Sequence, residues 1–213
     1  MFVFLGAGGR GLLDGRRWPL PLGDTPGAWL AGDERFPVRG YPLAELPLWF
    51  DDELWEVDLE GAIRQVEHAV AADRGRLVRR IAGWDAQAAR AFVAAAAERA
   101  RLLAVHALET DGYATQAAAI AAAPSDRLVA VCGTAAASLA GIHAELAAFP
   151  ADCVRYADDA HSPGAAAAVA GYVAAHASGR WADDYDEGAE AERAWQARWL
   201  AAVLDLRDRE CSA

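Results

Sequence analysis

Residues 46–61 read LPLWFDDELWEVDLEG, and this stretch decides which fold the sequence predicts. Apolar and acidic side chains alternate from residue 54 to residue 60, and this period of two is typical of a half-buried β-strand. One face would carry Trp55, Val57 and Leu59, and the other Glu56, Asp58 and Glu60. Gly61 ends the pattern. We therefore predict a strand over residues 54–59, against which the preceding Pro-rich region and the following Ala-rich region both pack.

Proline dominates the region around this strand. Six of the nine prolines lie within residues 1–84, where they leave no room for a helix of useful length, because each proline removes a backbone donor and fixes φ. Short strands and turns are therefore expected. The candidate strands are residues 2–5, 36–41 and 76–81, whereas residues 62–70 suit either a strand or a helix.

The rest of the chain is rich in alanine, leucine and arginine, which favour helices. Asp85 is suited to cap a first helix over residues 85–109, and Ser162-Pro163 resembles an N-cap followed by proline at the first helical position. The apolar face of the first helix would comprise Phe92, Ala96, Leu103 and His106. The further predicted helices are a short one that ends at residue 123, then residues 124–149 ended by Pro150, 152–159, 163–179 and 189–206.

Together these patterns predict an α+β protein. A small β-rich region over residues 1–84 is followed by a helical region over residues 85–213, and we expect the two to pack as one compact unit. With 213 residues the chain is long enough to bury a substantial core, whether as one large domain or two small ones.

Charge and cysteine content restrict the class of protein. The formal net charge is −11, and an acidic chain repels phosphate backbones, so we expect no nucleic-acid partner. No apolar run approaches the roughly 20 residues of a membrane span, and the N-terminus lacks the basic segment of a signal peptide. We therefore expect a cytoplasmic protein with no membrane partner. Cys132, Cys153 and Cys211 are widely spaced and odd in number, which indicates free thiols.

A GxGxxG pattern, GAGGRG, occupies residues 6–11 directly after an apolar segment. In a dinucleotide-binding fold these glycines bring the backbone close to a pyrophosphate at the start of a helix. Here Gly15, Pro19 and Pro21 follow too soon for that helix to form. A glycine-rich turn between short strands is the favoured interpretation, and no cofactor is predicted.

Charged clusters offer further candidate sites. Four arginines in residues 74–80 (RGRLVRR) would suit a phosphate or carboxylate, but pairing with the acidic face of the predicted strand explains them better. The acidic clusters at residues 51–53, 158–159 and 183–187 suit either a hard cation or a solvated surface. The last of these, DDYDE, resembles the aspartate-rich motif of class I terpene synthases, yet no second metal motif follows it. Surface acids are the favoured interpretation, and no metal site is predicted.

Histidine and tryptophan supply the candidate site residues. His161 closely follows Asp158, an arrangement in which a carboxylate can orient an imidazole for acid–base catalysis. His106 is a second candidate, with a core histidine as the alternative. Five of the eight tryptophans lie within residues 1–84, where they would either pack the core or line a pocket for a flat or apolar ligand. The predicted pocket lies between the two regions and is lined by Trp49, Trp55 and Trp195 or Trp199.

Four segments of the chain resemble a group of uncharacterised actinobacterial proteins. They are Trp18-Pro19, residues 46–61, RGRLVRR at residues 74–80 and ERAWQARWLAAVLDL at residues 192–206. All 20 basic residues are arginine, a bias consistent with GC-rich coding. The resemblance implies no activity, cofactor or catalytic residue.

The leading hypothesis is a cytoplasmic protein that binds a small molecule. One form of it is a cofactor-independent enzyme of the cyclase or isomerase type from bacterial specialised metabolism, in which His106, Asp158 and His161 would be the acid–base groups. The alternative is an interaction or immunity-type protein whose acidic helical surface binds a basic protein partner. A homo-oligomer is compatible with either hypothesis.

Overall fold

A computed structural model describes residues 1–207, and it confirms the α+β class: antiparallel strands occupy the first part of the chain and helices the rest. Its internal contacts divide the chain into two units. The first unit comprises residues 1–88 together with the described residues from 196 onward, and the second comprises Ala89–Trp195.

Strand β5, which covers the predicted strand, is the central strand of the first unit. The strands are β1 (Phe2–Gly6), β2 (Arg10–Gly11), β3 (Leu30–Ala31), β4 (Val38–Gly40), β5 (Glu53–Glu60), β6 (Arg64–Val66), β7 (Ala69–Ala72) and β8 (Arg74–Arg80). They form a five-stranded sheet in the order β2-β1-β5-β8-β3 and a three-stranded sheet in the order β4-β7-β6. The ambiguous residues 62–70 contain β6 and the start of β7, with His68 between them at a φ of 56°.

The alternation predicted for β5 is interrupted by a bulge. The register between β5 and β8 shifts between Glu56 and Val57, and four successive side chains of β5 around this shift are buried: Leu54, Trp55, Glu56 and Val57. The prediction that Glu56 lies on an exposed acidic face is therefore wrong. A buried carboxylate needs a partner, and Arg79 Nε donates to Glu56 Oε2 at 2.6 Å.

The arginines of β8 pair with the acids of β5, as predicted. Arg74 Nη2 lies 2.7 Å from Glu60 Oε1, and Arg76 Nη2 lies 2.9 Å from Asp58 Oδ2. The Trp29 ring lies under both of these guanidinium groups, with centroid distances of 5.1 and 4.6 Å. The basic cluster therefore stabilises the sheet through ion pairs and cation–π contacts.

Phe4, Phe50 and Trp84 form an aromatic cluster in the first unit, with ring centroids 5.3–5.4 Å apart. Trp84 is 1% exposed, and its indole N–H donates to the Asp51 carbonyl at 2.8 Å. A buried tryptophan with a satisfied N–H is a core residue. The core-packing alternative therefore holds for Trp84.

The helices are α1 (Ala86–Thr110), α2 (Ala114–Ala121), α3 (Leu128–Ala137), α4 (Gly141–Asp158), α5 (Pro163–Trp181) and α6 (Tyr185–Leu204). Two predicted N-caps are confirmed. Asp85 Oδ1 accepts the N–H groups of Gln87 and Ala88 at 2.8 and 2.9 Å, and Ser162 Oγ accepts that of Ala165 at 3.2 Å. Within residues 1–207, no helix combines the length and the hydropathy needed to cross a membrane.

The helix boundaries predicted around Pro150 are wrong. Residues 138–140 separate α3 from α4, and Gly141 begins α4 with a φ of 57°. Pro150 lies inside α4 and does not end it. A proline removes one helical hydrogen bond, but Pro150 is itself buried between the buried Phe149 and Ala151, and this packing outweighs the local penalty.

Alanine is the commonest buried residue of the second unit. On α1 the buried side chains include Phe92, Ala96, Ala100, Ala104 and Leu108. His106 is exposed, so its predicted place on the apolar face of this helix is wrong. Cys132 and Cys153 are buried free thiols, as predicted, whereas Cys211 lies outside the described residues.

Candidate functional site

A cavity of about 280 Å³ opens in the first unit. Its lining comes from β1, from residues 11–18, from residues 35–41 and from Trp49. Val3, Leu5 and Val38 contribute buried apolar surface, whereas Leu12 and Leu13 are more than half exposed. The cavity is therefore an apolar recess with an exposed edge.

Tyr41 and Trp49 place two stacked aromatic rings on this cavity, with centroids 4.8 Å apart and an interplanar angle of 30°. Tyr41 is held beside β1 by backbone hydrogen bonds of 3.0 and 2.7 Å with Phe2. The Trp49 indole N–H is buried and has no hydrogen-bond partner within residues 1–207. An unsatisfied buried donor of this kind costs the folded state about 1–3 kcal/mol.

Arg16 fixes the polar wall of the cavity. Its Nη1 donates to the Ala31 carbonyl at 3.0 Å and its Nη2 to the Phe36 carbonyl at 2.9 Å. Its Nε pairs with the Asp14 carboxylate, which also accepts the backbone N–H of Arg16 at 3.0 Å. Arg16 therefore ties two segments of the lining together and neutralises Asp14.

Tyr41 is the titratable group whose environment is most altered in this cavity. Burial raises the pKa of its hydroxyl above the ordinary value of 10.0, and the charge of Asp14 adds to the rise. The Arg39 guanidinium opposes both effects on the pKa through its charge and a side-chain hydrogen bond. Because the pKa is raised, Tyr41 is a neutral hydroxyl at physiological pH and can donate a hydrogen bond.

The glycine-rich segment forms the predicted turn between β1 and β2, and its backbone donors are already occupied. Gly8 and Gly9 donate their N–H groups to Glu53 Oε1 and Oε2 at 3.3 and 3.2 Å. Arg80 Nη2 lies 3.8 Å from the same carboxylate. The place that a phosphate would take in a dinucleotide-binding fold is therefore filled by a side chain of the same chain.

One of the four predicted tryptophans, Trp49, lines the cavity. Trp55 is buried on β5, where its indole N–H donates to Glu53 Oε2 at 3.0 Å. Trp199 belongs to the first unit but is not part of this lining. Trp195, in the second unit, packs under the Arg99 guanidinium at 5.0 Å. A pocket shared by these four side chains stays a prediction.

The predicted acid–base residues all lie in the second unit. His106 is exposed on α1, with its ring edge-on to Trp181 at 6.3 Å. Asp158 ends α4 and His161 lies in the connection to α5, and both are exposed. Within the described chain no hydrogen bond or ion pair joins these two side chains. Their catalytic role stays a prediction.

Sequence reasoning missed the histidines that do have side-chain partners. The three pairs, each 2.8 Å apart, are His68 Nδ1 with Glu45 Oε2, His143 Nε2 with Asp111 Oδ2, and His176 Nδ1 with Tyr185 Oη. The partners are 9 to 32 positions apart in sequence, so no local spacing reveals them. None of these histidines lines the cavity.

A shallower groove of about 490 Å³ lies along α2 and α3 in the second unit. Its lining includes Ala119, Ala130 and Val131 together with the hydroxyl groups of Thr134 and Ser138. Both hydroxyls donate to carbonyls of their own helix, at 3.0 and 2.8 Å. The donor hydrogens of these two hydroxyls are therefore not free to orient a ligand.

The acidic cluster at residues 183–187 belongs to a helix start. Asp184 Oδ1 accepts the N–H groups of Asp186 and Glu187 at 2.9 and 3.1 Å, so α6 begins at Tyr185 and not at residue 189 as predicted. In the part of the chain that the structure describes, no group of three or more histidine, cysteine, aspartate or glutamate side chains is placed to hold a metal ion.

The chain was compared with protein-family models, with curated proteins and with solved structures, and nothing matches in any of the three comparisons.

Proposed function

We propose that this protein binds a small, flat and mainly apolar molecule in the cavity of its first unit. The observation that carries the proposal is that Trp49 lines the cavity while its indole N–H is buried and has no acceptor within residues 1–207. Buried donors in folded proteins are nearly always satisfied, and a ligand atom would supply the missing acceptor.

The shape and composition of the cavity support this proposal. Tyr41 and Trp49 offer stacked rings on which a planar molecule can pack, and Val3, Leu5 and Val38 offer apolar surface. The volume of about 280 Å³ lies just below the range of about 300–1,000 Å³ for drug-sized ligands, so a single-ring or short-chain compound fits best. Arg16 holds the wall in place, which reduces the entropy lost on binding.

The proposal concerns binding and not catalysis. The titratable side chains of the cavity, apart from arginine, are Asp14 and Tyr41, and Asp14 is already paired with Arg16. Cyclase or isomerase chemistry through His106, Asp158 and His161, and a cytoplasmic location, stay predictions from the sequence.

The proposal can be tested by obstructing the cavity. Leu13→Trp adds a large side chain at the exposed edge of the lining, whereas Leu22→Trp makes the same change at a residue that is 86% exposed and outside the lining. Single-ring aromatic compounds would be screened by ligand-detected NMR. We expect compounds that bind the wild type to lose binding to Leu13→Trp and to keep it with Leu22→Trp. Equal binding to both variants would place the site elsewhere.

A second experiment asks which tryptophan senses the bound compound. Trp49→Phe should reduce the change in tryptophan fluorescence on binding, because Trp49 lines the cavity. Trp55→Phe is the matched control, since the Trp55 indole N–H is bonded to Glu53 and its ring is not part of the lining. A response that is unchanged in Trp49→Phe would contradict the proposed site.

A further inference from the structure

We infer that the ligand of this cavity is an organic anion, most simply a carboxylate; this inference rests on the proposed function and adds the charge of the ligand. Three arginines, Arg16, Arg35 and Arg39, belong to the lining, together with one acid, Asp14. Arg16 and Asp14 neutralise each other. Two guanidinium groups therefore remain at the cavity.

Arg35 and Arg39 have no carboxylate partner within residues 1–207, in contrast to the arginines of β8 in the same unit. Each arginine of β8 has a carboxylate oxygen at 2.6–3.8 Å. Within residues 1–207 no carboxylate lies within ion-pair distance of Arg35 or Arg39. Acids outnumber arginines by 31 to 20 in the sequence, so a shortage of acids does not explain the difference.

The contacts that these two arginines do make leave their charge uncompensated. The Arg35 guanidinium lies 5.1 Å from the centroid of the Phe36 ring, and the Arg39 guanidinium lies near enough to the neutral Tyr41 hydroxyl to lower its pKa. A guanidinium group binds carboxylates through paired, charge-assisted hydrogen bonds. A ligand carboxylate would therefore supply what the protein itself does not, whereas a cationic ligand would meet two like charges.

The size of the cavity and the state of the glycine turn restrict the anion further. A volume of about 280 Å³, just below the range of about 300–1,000 Å³ for drug-sized ligands, suits a single-ring or short-chain acid. The other backbone feature suited to a phosphate, the Gly8–Gly9 turn, is occupied by Glu53. In the arrangement that follows, the acid group lies at Arg39, the apolar body lies against Tyr41 and Trp49, and one acceptor atom satisfies the Trp49 indole N–H.

The test compares three probes of nearly equal size and different charge. Phenylacetate is anionic, phenylacetamide is neutral and phenethylammonium is cationic, and each would be titrated into the full chain by calorimetry. We expect phenylacetate to bind about tenfold or more tightly than phenylacetamide, which is the effect of one charge-assisted hydrogen bond. Arg39→Gln should abolish this preference, and Arg39→Lys should retain part of it.

Arg64→Gln is the control variant, because Arg64 is an exposed residue of β6 in the same unit and does not line the cavity. It makes the same change in net charge and should leave the preference unchanged. Equal binding of phenylacetate and phenylacetamide would overturn the anion inference and leave the proposed function standing. Tighter binding of phenethylammonium than of phenylacetate would also overturn the inference. So would a loss of the preference for phenylacetate over phenylacetamide in Arg64→Gln that equals the loss in Arg39→Gln. No binding of any probe at millimolar concentration would overturn the inference and the proposed function together.

Discussion

Arg99→Met removes the cation that pairs with a buried carboxylate in the second unit. Arg99 Nε and Nη2 both donate to Glu192 Oε2, at 3.1 and 2.9 Å, and the Glu192 side chain is only 3% exposed. The other carboxylate oxygen, Oε1, is buried without a hydrogen-bond partner among residues 1–207. The substitution would therefore leave a buried negative charge without a cation, and the folded state should be destabilised.

The magnitude follows from the burial of the two partners. Breaking a fully buried ion pair by removing one partner costs about 3–5 kcal/mol. Arg99 is 41% exposed, so water can reach the vacated space, and we expect a smaller loss, about 2–3 kcal/mol. This figure includes the cation–π contact of Arg99 with Trp195, which contributes about 0.5–1 kcal/mol.

Arg180→Met is a closely matched control. Arg180 Nε and Nη2 donate to Glu145 Oε2 at 3.1 and 2.9 Å, the same atoms and distances as in the Arg99 pair, and Arg180 is also 41% exposed. Glu145, however, is 49% exposed, and exposed pairs contribute about 0–1 kcal/mol. The free energy of unfolding would be measured by urea denaturation followed by circular dichroism. Equal losses in the two variants would refute the reasoning that burial of the carboxylate sets the cost.

A double variant separates the loss of the cation from the loss of packing. Arg99→Met combined with Glu192→Leu removes both charges and should recover most of the stability lost in Arg99→Met, because no buried charge remains. A double variant as unstable as Arg99→Met would show that the packing of Arg99, and not its charge, is what the fold needs.

Three further outcomes can be measured with standard methods. Asp85→Ala should lower the free energy of unfolding by about 1 kcal/mol, because two backbone N–H groups of α1 lose their acceptor. Gly141→Ala should destabilise the folded protein by about 1 kcal/mol, because Gly141 has a φ of 57°. Gly133→Ala should stabilise it by up to about 1 kcal/mol, because Gly133 lies inside α3 with open space at its Cβ position. A change of the same sign in both variants would contradict the backbone argument. Burial raises the pKa of Cys132 to about 11 and that of Cys153 to about 12, so in mildly alkaline buffer both thiols should resist iodoacetamide until the protein unfolds, as peptide mapping would show.

Local patterns in the sequence predict much of the fold. The alternation over residues 54–59 locates β5, and the acids of that strand predict the pairing with the arginines of β8. Asp85 and Ser162 each precede an alanine-rich segment, a position that predicts a helix N-cap, and both side chains accept backbone N–H groups there. In each case the pattern that predicts the structure spans only a few residues or a single strand.

The departures from prediction come from tertiary packing. The bulge after Glu56 arises where β5 pairs with β8, and the surroundings of Pro150 bury a residue that would end an isolated helix. Neither effect has a local signal in the sequence. Strong packing outweighs backbone preference at both positions.

The cavity could be predicted only in part. The sequence predicts a pocket between the two regions, whereas this cavity lies within the first unit, and Trp49 is the one residue common to both linings. Tyr41 has no local signal in the sequence, because a bridge to the distant Phe2 places it. Trp49 and Trp84 are alike in sequence, because each is followed within two residues by an aspartate. They differ because the Asp51 carbonyl accepts the Trp84 indole N–H, whereas no group of residues 1–207 accepts that of Trp49.

Glu53 has a bearing on how glycine-rich motifs are interpreted. Its carboxylate is an internal substitute for a phosphate: it meets two main-chain amides, an indole and an arginine, as a bound oxyanion would. Exchange of this one side chain for a neutral one would remove the carboxylate that these four donors share. A glycine-rich motif of this kind can therefore be completed by a carboxylate from the same chain, and the motif alone does not tell which acceptor its backbone donors meet.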